Sequence, residues 1–228
     1  MKNNRLTLLD IFCGAGGASM GYYNAGFEVV GVDKAPQPSY PFKFYRADAF
    51  AYLKKNAGKF DVFHASPPCQ KYCRMYMGLI QAQGREKQHP DYISSIRQSL
   101  ISTGKPYVIE NVEGAPLNHP IKLCGSSFGL NVQRHRLFEC SFGILAPPCQ
   151  HHRYKPQFPP LHRLQAPRSR VVGCYGNGRG KGDTVKLWQD AMGIDWMTRK
   201  ELAQAIPPAY TYYIGQVLID IINGVRSD

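Results

Sequence analysis

LTLLDIFCGAGG, Leu6 to Gly17, decides how the rest of the chain is read. The apolar run Leu6 to Phe12 fits a short buried strand. Cys13 to Gly17 (CGAGG) fits a glycine loop, because glycine weakens strand and helix interiors but supplies tight turns. Ala18 to Ala25 then reads as a helix, with Gly26 placed to end it. Outward from this unit the alternation repeats. Val29 to Val32 (VVGV) is a second strand, closed by Asp33, and Phe44 to Arg46 a third, closed by Ala47-Asp48. Asp61 to Ala65 (DVFHA) is a fourth and runs straight into Ser66-Pro67-Pro68-Cys69-Gln70. Asp91 to Thr103 reads as a helix stopped by Gly104, and Tyr107 to Ile109 as a fifth strand ending at Glu110-Asn111. Short apolar strands alternating with helices specify an α/β fold with a largely parallel, Rossmann-like sheet.

In open α/β sheets ligands bind beyond the carboxyl ends of the strands. Asp33, Asp48, Cys69 and Glu110 all fall at such ends. A glycine turn lets backbone approach a ligand, and an acid after the second strand suits a ribose diol. The loop is Gly14-Ala15-Gly16-Gly17, with Ser19 where a dinucleotide fingerprint has its third glycine. That disfavours a dinucleotide, and a plain tight turn remains the alternative reading.

The four residues Pro-Pro-Cys-Gln occur twice, at Pro67 to Gln70 and at Pro147 to Gln150. The first copy ends a buried strand on a loop stiffened by two prolines, so Cys69 is the candidate nucleophile. The second opens a proline-rich basic stretch, and Cys149 reads as structural or peripheral.

The chain has 228 residues, 43% hydrophobic, enough for one domain with a small appendage. Its net charge of +12 favours an anionic partner, of which nucleic acid is the commonest. No apolar run approaches the roughly 18 residues of a membrane span. The seven cysteines show no paired spacing, which suits reduced thiols in a cytoplasmic protein.

Together these residues resemble the DNA (cytosine-5) methyltransferases, in the family's order and along nearly the whole chain. Asp10 to Gly17 looks like the family's cofactor loop, Ser66 to Gln70 like its nucleophile loop, and Glu110-Asn111-Val112 like its ENV motif. Arg134-His135-Arg136 stands where the family has two arginines two residues apart, and Ile206 to Leu218 resembles its last helix, most closely in short phage and prophage members. Three positions depart: Val132 where Gln is frequent, Cys73 where Ser is usual, and Gly215-Gln216-Val217 in place of Gly-Asn-Ser.

The resemblance implies S-adenosylmethionine as methyl donor and cytosine in double-stranded DNA as acceptor. Asp10, Phe12, Gly14, Gly16, Gly17, Asp33, Lys34, Asp48, Ala49, Pro67 and Gly215 would line the cofactor site, with Asp33 on the ribose and Asp48 on the adenine amine. Cys69 would attack carbon 6 of the ring, Glu110 would share the proton at N3, and Arg136 with Arg134 would hold O2. The same resemblance implies a monomer in a bacterium or phage-infected host. RNA as substrate is a second reading. A non-catalytic binding relative is a third, against which the intact Cys69, Glu110 and arginine pair argue.

The catalytic domain is expected over 1–139 and 185–228, leaving 140–184 as a reduced target recognition region. From Cys140 to Gly182 there is no acidic residue, against Arg153, Lys155, Arg163, Arg168, Arg170, Arg179 and Lys181. Such a strip suits phosphate contact, and Gln70 joins it as a DNA contact by resemblance. Cys140, Cys149, His151, His152 and His162 fit no standard four-ligand spacing, so no metal is expected. Thr198 to Glu201 is a capping box opening a helix that Pro207-Pro208 should stop. Ile214, Val217, Leu218, Ile221 and Ile222 then form a core-facing stripe.

Overall fold

The computed structural model describes residues 5–72, 91–150, 171–174 and 184–225. Five strands run parallel: β1 (Thr7–Ile11), β2 (Glu28–Asp33), β3 (Lys43–Arg46), β4 (Val62–Ala65) and β5 (Tyr107–Asn111). Two more, β6 (Ile121–Leu123) and β7 (Arg136–Cys140), complete a seven-stranded sheet of order β3-β2-β1-β4-β5-β7-β6, with β7 antiparallel to both neighbours. The fold is therefore Rossmann-like, mixed α/β and largely parallel, as the sequence predicts.

Alternation along the strands builds two cores. Leu8, Val29, Val62 and Val108 face α1 (Gly17–Ala25) and the C-terminal helix α6 (Pro208–Ile222), packing with Tyr22, Phe27, Tyr210 and Ile214. Their neighbours Leu9, Val30, Phe63 and Ile109 point the other way, against α2 (Ala49–Asn56) and α3 (Tyr92–Ile101), with Leu53, Ile96 and Leu100. Both faces of the sheet are thus dry, which is why these strands read as continuous apolar runs. A third cluster, built from α4 (Val185–Met192) and α5 (Arg199–Leu202), gathers Trp188, Met192, Met197 and Leu202 around Val132, Val172 and Cys174.

Local signals explain most boundaries. Gly26 ends α1 at φ 117, donating its N–H to the Tyr22 and Tyr23 carbonyls. Asp91 caps α3 with its carboxylate on the Ile93 and Ser94 N–H groups. The Thr198–Glu201 capping box is formed, but its helix stops at Leu202, well before the prolines. Pro208 instead opens α6 as its first residue, where a missing N–H is harmless. Of the predicted stripe on α6, Ile214, Val217 and Leu218 are buried, while Ile222 is 37% exposed. Tyr210, Thr211 and Gly215 supply the rest of the buried face.

The chain runs outward through β1, β2 and β3, then crosses back to lay β4 on the other side of β1. That reversal makes the gap beyond the carboxyl ends of β1 and β4 the topological switch point, the usual ligand crevice of such sheets.

Candidate active site

The glycine loop leaves β1 at one wall of this crevice. Phe12 takes a left-handed φ of 61, uncommon for a bulky residue. Its ring packs on Phe50 and Tyr92, and its N–H donates to the Val32 carbonyl at 2.9 Å. Gly14, at φ 49, donates its N–H to Asp33 Oδ2 at 3.1 Å, and Ala35 N–H donates to Asp33 Oδ1 at 2.9 Å. Asp33 thus fixes the loop from the end of β2. A Cβ at Gly14 would meet nothing within 4 Å, so this position borders open space. Gly16 and Gly17 face protein instead: a Cβ there would lie 2.9 Å from Pro41 and 2.4 Å from the Ile206 carbonyl. Ser19 has its own task. Its hydroxyl donates to Asp10 Oδ2 at 2.5 Å and lies 2.7 Å from the Tyr40 hydroxyl, both buried.

The opposite wall is the loop after β4. Ser66 N–H donates to the Ile11 carbonyl at 3.0 Å, pinning the start of the loop to β1. Pro67 is buried, and its carbonyl accepts from Asn111 Nδ2 at 2.9 Å. Tyr72 N–H closes a turn on the Cys69 carbonyl at 2.9 Å. Cys69 is half-buried in this turn, and Gln70 is exposed beside it.

Glu110 ends β5 next to Asn111, and 6% of it is exposed. Arg136, entering β7 across from it, pairs with Glu110 through Nε and Oε1 at 3.0 Å. Burial nonetheless pushes the Glu110 carboxyl above its usual range, opposed by Arg136, Arg134 and a hydrogen bond from Ser66. Behind Ser66 lies His64, buried and 2.9 Å away through Nε2, with the Tyr22 hydroxyl 3.0 Å from its Nδ1. One set of roles satisfies every group: Tyr22 O–H donates to Nδ1, Nε2–H to the Ser66 oxygen, and Ser66 O–H to Glu110. Burial holds the His64 pKa down at about 3, so the ring is neutral. Asp10 is fully buried at the end of β1. Burial raises its carboxyl to about 7, Ser19 works against that, and Asp33 and Glu110 add to it.

The two arginines part company. Arg136 reaches the crevice. Arg134 is fully buried and donates to the Cys174 carbonyl at 2.8 Å and the Ala203 carbonyl at 2.7 Å. Its own carbonyl accepts from the Tyr210 hydroxyl at 2.8 Å. Arg134 therefore clamps residues 171–174, the loop after α5 and α6 together. Gly215 lies in the α1–α6 contact, where a Cβ would be 2.8 Å from Ala25. Lys34 is exposed past β2, and Asp48 caps α2 through Ala51 N–H at 3.0 Å, with Ala49 buried behind it. Arg153, Lys155, Arg163, Arg168, Arg170, Arg179 and Lys181 lie outside the described residues. Sequence reading placed Ser66 in the cysteine loop without a role, and missed Tyr22, His64, Tyr40 and Trp196, whose indole N–H donates to the Ala15 carbonyl at 3.0 Å. The fit of Ser66 and His64 to the crevice was foreshadowed only by a histidine inside an apolar strand.

No protein-family model and no curated protein matches the chain. Solved structures do. A Dnmt2 methyltransferase from S. pombe aligns over 96% of this chain and 100% of its own, at a TM-score of 0.56 and 13% identity. The Entamoeba histolytica methyltransferase EhMeth aligns over 99% and 100%, at 0.52 and 11%. The fold is that of these methyltransferases. A Spodoptera frugiperda DNMT2 variant is 18% identical over 58% of this chain, which spans 48% of that protein, at a TM-score of 0.42.

Proposed function

We propose that this protein transfers the methyl group of S-adenosylmethionine to carbon 5 of cytosine in DNA, with Cys69 as nucleophile. The observation that carries this reading is the Asn111–Pro67 hydrogen bond. It fastens the cysteine loop to the strand end that bears Glu110, directly across the switch point from the glycine loop. The motif resemblance supplies the reaction class.

The crevice suits the cofactor. Asp10 Oδ1 is buried without a hydrogen-bond partner, and Asp33 and Glu110 both disfavour its charge. Asp33 beside the open space at Gly14 suits a ribose, and its coupling with the buried acids Asp10 and Glu110 favours a cationic ligand. S-adenosylmethionine supplies an electrophilic methyl group. The Cys69 thiolate adds to carbon 6, and the ring's displaced electron pair makes carbon 5 nucleophilic. Glu110, whose carboxyl burial already biases toward the protonated form, gives a proton to N3. Arg136 holds O2 by a charge-assisted hydrogen bond. After transfer, the carbon 5 proton leaves to a base and the sulfur–carbon bond breaks. The target base must be flipped out of the duplex to reach this depth. Residues 140–184 act as the reduced recognition region, gripping phosphates with their basic side chains, and the protein works as a monomer.

Tritiated-methyl incorporation into duplex DNA, with tRNA assayed alongside, tests the reading. Label in DNA at cytosine carbon 5 is expected. Label in tRNA alone would move the substrate to RNA, and no label in either would overturn methyl transfer.

A further inference from the structure

The second Pro-Pro-Cys-Gln run has a place of its own. Ser127 Oγ donates to the Pro148 carbonyl at 2.9 Å, and Gln150 N–H donates to Ser126 Oγ at 3.0 Å. Both hydroxyls belong to the short 3-10 turn Gly125–Phe128, directly after Cys124. The run is folded back onto that turn, and this sets the Cys149 thiol beside the buried Cys124 and beside His135. One donor atom from each of the three lies within 4.8 Å of the others. Cys149 Sγ and His135 Nε2 are 3.6 Å apart. The outer nitrogen of the same ring, Nδ1, is 3.5 Å from Glu113 Oε2.

We propose that Cys124, His135 and Cys149 bind a structural zinc ion, with Glu113 orienting the His135 ring. Two thiols and an imidazole are the donor set that zinc prefers. An imidazole turning one nitrogen to sulfur donors and the other to a carboxylate has the arrangement of a metal-bound histidine with its outer partner. Zinc–sulfur and zinc–nitrogen bonds of about 2.3 and 2.0 Å put tetrahedral donors roughly 3.5–3.8 Å apart. The Cys149–His135 separation already matches, and no pair needs to close by more than about 1 Å. Binding forms two zinc–thiolate bonds and one zinc–imidazole bond and releases the two thiol protons to solvent, with no change of oxidation state. The fourth position takes water or a further side chain.

The site does not depend on the methyl-transfer reading, but it acts on the same residues. His135 stands between Arg134, the clamp, and Arg136, the partner of Glu110. Zinc would pin that backbone and fasten the root of the basic segment to the sheet through Cys149. The second Pro-Pro-Cys-Gln run thus anchors, where the first reacts.

The test measures metal rather than turnover. Full-length protein purified under reducing conditions is assayed for zinc by inductively coupled plasma mass spectrometry, then stripped and titrated against a competing chelator. About one zinc per chain is expected in the wild type and in Cys69→Ser. Cys149→Ala should lose it. Glu113→Gln, a change at an exposed side chain, should weaken zinc affinity roughly 10–100-fold. Cobalt substituted for zinc should give thiolate charge-transfer absorption in the wild type and in Cys69→Ser, and none in Cys149→Ala. The proposal is overturned by a wild type that binds no zinc, or by wild-type zinc affinity in both Cys149→Ala and Glu113→Gln. It also falls if Cys69→Ser loses the metal, or if the intact mass reveals a Cys124–Cys149 disulfide instead.

Discussion

Asn111 holds Pro67: its side-chain amide donates to the Pro67 carbonyl at 2.9 Å, across the gap between β5 and the loop after β4. A proline pair stiffens a loop from within, but only an outside tether fixes where the stiff loop points. The side chain also accepts from Val112 N–H at 3.0 Å, so its orientation is set. Asn111→Ala removes the tether without deleting any proposed reacting group. Methyl transfer should fall on the order of 10²-fold, as a displaced nucleophile does. Alkylation of Cys69 by iodoacetamide, followed by mass spectrometry, should continue.

Cys69→Ser should lower turnover by at least ~10³-fold while leaving DNA binding intact. Duplex DNA carrying 5-fluorocytosine at the target should trap the wild type covalently, because fluorine cannot leave as a proton does. The adduct should form only with S-adenosylmethionine present, and a denaturing gel reads it. Cys149→Ser should still be trapped, since its thiol lies at the other cluster. An active wild type that forms no adduct would exclude the thiolate route.

Arg134 and Arg136 should fail in different ways. Arg134→Ala strands the Cys174 and Ala203 carbonyls in a buried site and opens a cavity. A loss of about 3–4 kcal/mol is expected, or roughly 10 °C in melting temperature. Arg136→Lys keeps a charge facing the buried Glu110 but loses the guanidinium fork, so it should melt much closer to wild type and lose activity. Differential scanning calorimetry beside the methylation assay separates the two.

Asp10 and His64 bias stability in opposite directions over one pH range. Asp10 titrates at 3.8 in an unfolded chain and at about 7 here. Its contribution is full below 3.8 and is lost as pH rises through 7. His64 goes from 6.5 to about 3. Its contribution is full above 6.5 and is lost as pH falls toward 3. From about pH 4 to 6.5 the two slopes offset each other in the wild type. Asp10→Asn should grow more stable as pH rises over that range, and His64→Gln less stable. Urea midpoints at half-unit pH steps would show it, and parallel profiles for the two variants would refute both assignments.

Specificity should be short. A good bidentate base contact gives ~1–3 kcal/mol of discrimination, and the segment between Cys140 and Thr184 is rich in Gly, Pro and Arg. Such side chains grip phosphates, which carry no sequence information. A target of about two to four base pairs is expected, with binding that weakens steeply as salt rises. Arg168→Ala with Arg170→Ala should lower affinity for all sequences alike and flatten the salt slope. Bisulfite sequencing of a methylated plasmid reads the target, and six or more defined positions would contradict this.

The parallel core was legible because its strands are dry on both faces, so VVGV and YVI read as plain apolar runs. β7 was not. Glu139 interrupts it, and that buried acid is satisfied by Arg97, which binds it twice at 2.8 and 2.7 Å from a helix far along the chain, and by the Asn118 N–H at 2.7 Å. No local pattern announces such a pairing. The strand-end acids and Cys69 were legible because topology puts strand ends together whatever the side chains do. Ser19 read as a damaged fingerprint, and its use became visible only once Tyr40 and Asp10 met around it. Cys124, His135 and Cys149 come from three separated segments, and no ligand spacing joins them. The doubled proline in Pro207-Pro208 was read as a stop, yet the same fixed φ that ends a helix also begins one.

The α1–α6 contact has a consequence for the order in which the protein is made. Trp196 braces the glycine loop at Ala15, and Thr211 donates to the Ala18 carbonyl at 2.8 Å. These are partners nearly two hundred residues apart, so they add strongly to contact order and close late. A chain emerging from the ribosome holds Cys69 and Glu110, and the Asp33 tether on the loop across from them, long before Trp196 and Thr211 arrive to brace that loop from behind. Helix α6 completes α1, so the brace on the glycine loop closes only once residues 196–211 have been made.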